Sequence, residues 1–181
     1  MGDRRLTAAA RADDGLFGDV AGLIDGARAR SAVAINSELV MLYWSVGKRV
    51  RDEVLGGERA AYGAQVVTRL AERLTASYGR GWSKPNLLKM LKLVDDYPDE
   101  PIVSTLSRQL SWSHFIELFG ISEQQERDFY ATFAAHERWS VRTLRSKVAG
   151  KLYERTIAAR GSVDGLEAAH DAAGVVGHRR P

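Results

Sequence analysis

Residues 17–55 contain no proline, and their apolar side chains recur at steps of three and four: Val20, Leu23, Ile24 and Ala27, then Ile35, Leu39, Leu42, Val46, Val50 and Val54. That spacing lines one side of an α-helix, so the stretch is predicted to be one long helix or two nearly collinear ones. Gly26 and Gly47 lie inside it, and each costs ~1 kcal/mol relative to alanine, which makes either a place where the helix can bend. Gly56-Gly57 ends it. A helix of this length needs other elements to lie against, and the rest of the chain is written to supply them.

A second helix is expected over 64–77, with Val66, Val67, Leu70, Leu74 and Tyr78 inward. Gly79-Arg80-Gly81 then offers positions that tolerate positive φ, Ser83 is a good N-cap, and Pro85 suits the first turn of a helix. That helix is expected to bury Leu87, Leu88, Leu91 and Val94 and to stop at Tyr97-Pro98. After an Asp99-Glu100-Pro101 linker come a short helix at 102–106 and one capped by Ser111 or Ser113 that runs to Phe119. Ser122 with Gln125 reads as a capping box for a helix to about Glu137, and Ser140 caps the last one, with Val141, Leu144, Val148 and Leu152 inward. No alternating apolar run is long enough for a strand. The fold class is therefore all-α: a helical domain over 16–156 with a long N-terminal helix and one or two helix-turn-helix-like units. It is flanked by a disordered lead-in at 1–15 and a divergent tail at 157–181, where the texture turns to Ala, Gly, Val, His and Arg without periodicity.

Composition narrows the chemistry. The 181 residues, 45% of them apolar, suffice for a real core. The absence of cysteine removes disulfides, thiolate metal sites and cysteine nucleophiles together. Arg11 interrupts the only small apolar run near the start, so no secretory signal is read there. No stretch approaches the ~20 apolar residues of a membrane span, and a cytoplasmic protein without membrane contact is expected. The net charge is only +3, a weak pointer to nucleic acid by itself, so the distribution of charge matters more than its total.

Two stretches share a pattern. Leu74 to Leu88 and Leu106 to Ile116 each have a Leu-polar lead-in, then Trp-Ser, then an apolar helical run, which is how a helix, a turn and a capped second helix are written. If Ser83 opens a recognition helix, Lys84, Asn86 and Lys89 lie away from its apolar stripe, near the end that such units place in the major groove. Arg80 and Lys84 would then contact phosphate and Asn86 would read adenine, whose edge an amide can pair in two places. The plainer reading is a solvated face on an ordinary amphipathic helix. A second basic surface follows at 140–160, where Arg142, Arg145, Lys147, Lys151, Arg155 and Arg160 stand against Glu154 alone. Lys147, Lys151 and Arg155 fall four apart, as a stripe following a phosphate backbone would, or as a solvated face would. Trp44 belongs to the apolar side of the first helix, and Trp82, Trp112 and Trp139, each just before a serine, read as residues packed back on a helix rather than as base-stacking platforms.

The run Asn36-Ser37-Glu38-Leu39-Val40 with Leu42-Tyr43-Trp44 and Gly47-Lys48, the block Tyr78-Gly79-Arg80-Gly81-Trp82-Ser83, the segment 102–115 and the segment Glu137-Arg138-Trp139-Ser140-Val141-Arg142-Thr143-Leu144-Arg145 together resemble the N-terminal domain of the YhcG family. The resemblance spans 16–156 with four motifs in the family's order. It implies a helical domain suspected of DNA binding that usually precedes a nuclease domain of the PD-(D/E)XK type, and this chain is expected to stop before that nuclease.

Catalytic constellations can be sought by reading. The nuclease site needs an acidic residue two positions before a lysine to hold Mg²⁺. Lys48, Lys84, Lys89, Lys92, Lys147 and Lys151 are preceded at that distance by Val46, Trp82, Leu87, Met90, Arg145 and Ala149. There is no Walker loop and no Gly-x-Ser-x-Gly elbow, and His114 with Glu117 at i and i+3 is too small a set for a metal. No cofactor, metal or catalytic residue is expected, and the chain alone should leave DNA intact. The expectation is a non-catalytic DNA-binding or nucleic-acid-positioning module, with DNA as partner and any nuclease supplied by a separate chain or by an upstream form of the same gene. The alternatives are an oligomerisation module built on the long helix, whose 39–44 segment is apolar nearly all round, or an inactive fragment of a longer nuclease gene.

Overall fold

The computed structural model describes residues 3–55 and 60–159, with side chains described over 15–53 and 63–159. Helix α1 runs Asp3–Leu55, α2 Ala60–Tyr78, a 3₁₀ turn Arg80–Trp82, α3 Lys84–Asp96, α4 Glu100–Ser107, α5 Trp112–Leu118, α6 Gln124–His136 and α7 Val141–Ala149, and a further helical run covers 152–159. All regular structure among the described residues is helical, as the apolar periodicity requires. By packing, the chain divides into two compact units, 1–112 and 113–181, where the sequence pattern suggests a single domain at 16–156. The tail expected at 157–181 lies outside the described residues from 160 onward.

In the first unit α1 is a single helix that passes through Gly26 and Gly47 without interruption. It begins at Asp3 rather than near Phe17, because Leu6-Thr7-Ala8-Ala9-Ala10-Arg11 is made mostly of good helix formers. Gly47 has a different use from the bend its type suggests. A Cβ built there would fall 2.7 Å from the Met90 carbonyl carbon, closer still to its oxygen, and 3.0 Å from Val94 Cγ2. The missing side chain lets α1 and α3 approach backbone to backbone. Around this crossing Val50, Val67, Ala71, Leu87 and Met90 form a buried cluster, with Tyr43, Val46, Leu70, Leu74, Trp82 and Trp112 packed against it.

Two polar ties fix the other contacts of α1. The buried Trp44 indole donates to the Tyr97 carbonyl at 2.9 Å, just past the end of α3. Asn36 Nδ2 donates to the carbonyls of Ser107 and Leu110, both at 3.1 Å, and so satisfies two acceptors at and beyond the end of α4 that the helix itself leaves open. Ser37 reinforces this at 2.7 Å from Ser107 Oγ; since that hydroxyl donates to the Ser104 carbonyl, Ser37 is the donor. The 106–110 segment, read from sequence as the lead-in of a second helix-turn-helix-like unit, thus serves as a helix end clamped by α1.

The inward face of α3 is shifted from the expected one. Leu87, Met90, Leu93 and Val94 are buried, whereas Leu88 is 49% exposed, because the crossing at Gly47 turns Met90 and not Leu88 toward α1. α4 starts two residues earlier than the linker reading allows, with Pro101 in its first turn.

The second unit combines aromatic packing with a few side-chain hydrogen bonds. Phe129 packs edge-on against Tyr130 and Tyr153, and Phe133 stacks on Trp139. The capping box expected at Ser122 and Gln125 does not form: Glu123 takes the N-cap position without a side-chain bond. In its place the buried Arg127 reaches back to the Ile121 carbonyl at 2.9 Å. Ser140 does cap α7, accepting from the Thr143 amide at 3.1 Å. The final helix is not continuous as its periodicity suggests: α7 stops at Ala149, Lys151 takes a positive φ of 51°, and helix resumes at 152. The fully buried Tyr130 stabilises this break, its hydroxyl donating to the Lys147 carbonyl at 3.3 Å and accepting from the Tyr153 amide at 3.1 Å.

Gly47→Ala should be destabilising by about 1–3 kcal/mol of overpacking, an effect larger than the ~1 kcal/mol of helix propensity that alanine adds. Gly22→Ala, where a Cβ meets nothing within 4 Å, should cost nothing. Urea unfolding of the two variants checks this, and equal midpoints would contradict the close crossing.

Candidate nucleic-acid interface

The turn between α2 and α3 is built by three local devices. Gly79, at φ 90°, takes a conformation that a side chain would strain, and its amide still closes on the Thr75 carbonyl at 2.9 Å. Ser83 holds an extended N-cap conformation, but its side chain makes no capping bond; its carbonyl accepts from the Leu87 amide at 3.0 Å. Asn86 Nδ2 donates to the Gly81 carbonyl at 2.9 Å and ties α3 back to the turn. Trp82 lies edge-on to Tyr43 and packs with it against the core, while Tyr78, expected inward, is 72% exposed and meets Trp82 edge-on.

These contacts sort the residues singled out in the sequence. Arg80 and Lys84 are exposed and Lys89 is half-buried, and none of the three has an ion-pair partner among the described residues. Asn86 is half-buried with its amide engaged, so it fixes the turn; reading a base would require giving up that bond. Two arginines that sequence spacing did not bring forward join the set. Arg69 shares a shallow depression with Lys84, also lined by Gln65, Thr68 and Glu72. Arg69 and Arg73, one turn apart on α2, line a groove toward α1 with Arg49, over a floor of Val50, Val66 and Leu70. The i, i+4 spacing of Arg69 and Arg73 was the available signal.

The neighbouring charges are mostly neutralised. Lys48 pairs with Asp52, Arg49 with Glu53, Arg51 with Asp95 and Lys92 with Asp96. Lys48, Arg49 and Arg51 at the end of α1 and Lys92 on α3 are thereby taken up. Arg69, Arg73, Arg80, Lys84 and Lys89 have no ion-pair partner among the described residues; Glu72 lies beside Arg69 and Lys84 in the depression, and Glu53, already paired with Arg49, lines the groove with Arg69 and Arg73.

The second basic surface is arranged differently from the expected stripe. Lys147 and Arg155 lie on separate helices, on either side of the break at Lys151. Arg145 is held by Glu117, with Nε 3.0 Å from Oε2 and a second bond from Nη2 to Oε1, the bidentate geometry that a guanidinium and a carboxylate favour. Lys147 Nζ stands 5.7 Å over the Trp139 ring. Arg142 and Lys151 are exposed. His114 is also engaged, its Nε2 2.9 Å from the Trp139 carbonyl, so the His114 and Glu117 pair is divided between two structural contacts. Among the described residues no three His, Asp or Glu side chains gather where they could hold a metal, and no helix is long and apolar enough to cross a membrane.

The hydrogen bond from Arg145, with its positive charge, holds the Glu117 carboxyl below the usual glutamate range. A carboxyl with a lowered folded value adds stability above its ordinary pKa of ~4.3 and loses that stability as pH falls through the lowered value. The melting-temperature gap between the wild type and Glu117→Gln should therefore be full near neutrality, narrow below pH ~4 and close under stronger acid. A gap independent of pH would mean that the ion pair contributes nothing.

Comparison with known proteins places this arrangement. The chain is 30% identical over 165 aligned residues to the Escherichia coli (strain K12) protein named "Putative nuclease YhcG", an alignment that takes in 75% of this chain and 44% of that protein. The chain thus spans less than half the length of this curated relative. No solved structure matches. Residues 19–155, which include α2, the turn, α3 and α7, match the DUF1016 N-terminal domain, and the chain belongs to that family.

Proposed function

We propose that the chain is a non-catalytic DNA-binding module, and that the face formed by α2, the Arg80–Trp82 turn and the start of α3 meets the phosphate backbone. One observation carries this reading: Arg69, Arg73, Arg80, Lys84 and Lys89 have no ion-pair partner among the described residues, while the cations around them are paired. Unpaired cations on a rigid turn release counterions when they meet a polyanion, which gives affinity without the loss of an internal ion pair. Arg145, already bound to Glu117, would have to exchange one carboxylate for a phosphate and gains less. Arg142, Lys147 and Lys151 act as secondary contacts, divided by the break at Lys151. The positions two before each lysine hold no acid, so this chain lacks the acidic-x-Lys pattern of a PD-(D/E)XK site, and the reading assigns it a binding role rather than the nuclease role in the relative's name.

Titration of a fluorescently labelled duplex at two salt concentrations tests the assignment. The Arg80→Ala/Lys84→Ala/Lys89→Ala protein, and independently the Arg69→Ala/Arg73→Ala protein, should bind more weakly, with the salt slope falling by up to ~0.9 for each phosphate that the variant no longer neutralises. An Arg142→Ala/Lys151→Ala protein should be weakened less. Binding unaffected by either α2–α3 variant, or no salt-sensitive binding at all, would overturn the reading.

A further inference from the structure

The first half of α1 carries a second apolar face that no described residue covers. Leu16 is 64% exposed, Phe17 76%, Val20 43%, Leu23 72%, Ile24 46% and Ile35 70%. At ~100° per residue these six fall on one side of the helix, and that side lies roughly opposite the one that holds Val40, Trp44 and Gly47 against the core. Ala27, Ser31 and Ala34 continue the stripe with small side chains. A helix that shows water a continuous line of large apolar residues on the side turned from its own core has the form of a surface for another helix.

We propose that this stripe pairs antiparallel with the same stripe of a second copy of the chain, about a two-fold axis close to Ile24 and Ala27. Charge selects the occupant and its direction. Asp19 and Arg30 share one flank of the stripe and Asp25 and Arg28 share the other, with the acid nearer the N-terminus on both flanks. None of the four has an ion-pair partner among the described residues. An antiparallel alignment sets Phe17 across from Ala34, Val20 from Ser31 and Ile24 from Ala27, so large residues meet small ones. It brings Asp19 within about a turn of Arg30 of the second copy, and Arg28 within about a turn of Asp25 of that copy. The two-fold axis makes each contact twice. A parallel alignment would instead bring opposite flanks together, with Arg30 beside Arg28 of the second copy and Asp19 on the same side as Asp25 of that copy. A partner of uniform charge would satisfy one half of each flank and be repelled by the other. The proposal is independent of DNA binding, since it uses residues of α1 remote in sequence from the α2–α3 turn.

The test is mass determination by light scattering on the full chain, with circular dichroism to confirm that each variant keeps its helix. The wild type should have twice the 20.0 kDa chain mass. Arg28→Glu/Arg30→Glu, which makes both flanks acidic, and Asp19→Lys/Asp25→Lys, which makes them basic, should each be monomeric, and an equal mixture of the two should recover the dimer. Ile24→Glu should be monomeric and helical. A monomeric wild type, a dimer that survives either charge variant, or a mixture that stays monomeric would overturn the proposal. Because folded but monomeric variants regain pairing only with each other, a general loss of structure cannot imitate the expected result.

Discussion

The contact on which the first unit depends is the one between Gly47 and the backbone of Met90. It brings α1 and α3 closer than any side chain would allow, and the neighbouring interactions follow from that distance. Trp44 can reach the Tyr97 carbonyl only because α3 ends beside α1, and Met90 and Leu87 meet Val50 and the α2 residues Val67 and Ala71 in one buried cluster. Each large apolar side chain fully buried in such a cluster contributes ~1.5–3 kcal/mol, so a fraction of an ångström at the crossing affects several contributions together. Asn36 and Ser37 then secure the end of α4 to the same helix.

From that frame the α2–α3 turn takes its rigidity. Trp82 is packed against Tyr43 of α1, Gly79 absorbs the reversal of the chain, and Asn86 closes the turn from the α3 side. The cations at its rim are therefore mounted on a packed support and have no ion-pair partner among the described residues. The second unit uses the same chemistry with the opposite result. Its arginine at the centre of the basic segment is spent on Glu117, and its final helix is broken where Tyr130 supplies the bonds that a continuous helix would have made internally.

Much of this was legible in the sequence because it depended on local rules. Helix periodicity marked α1, α2 and α3; Gly79 marked the positive φ; Ser140 marked the cap of α7. What was not legible depended on contacts distant along the chain. Gly47 looked like a weak point in a helix because the approach of Met90, 43 residues later, is invisible to composition. Asn36-Ser37 and 106–110 stood out as motifs, yet their purpose, one clamping the other, appears only when they meet. Arg145 reads from sequence as one more charge of a basic surface because its partner, Glu117, lies on another helix. Lys147, Lys151 and Arg155 had the spacing of a stripe, but a buried tyrosine hydroxyl on α6 stabilises the break that divides them.

The α2–α3 turn is proposed as the main contact with nucleic acid, with the final basic segment secondary. Hydrogen–deuterium exchange of the full chain with and without a short duplex reads that location directly. The account predicts slower exchange at 79–90 on adding duplex, with a smaller change over 141–159. Protection confined to 141–159, with 79–90 unchanged under conditions where the duplex is bound, would contradict it.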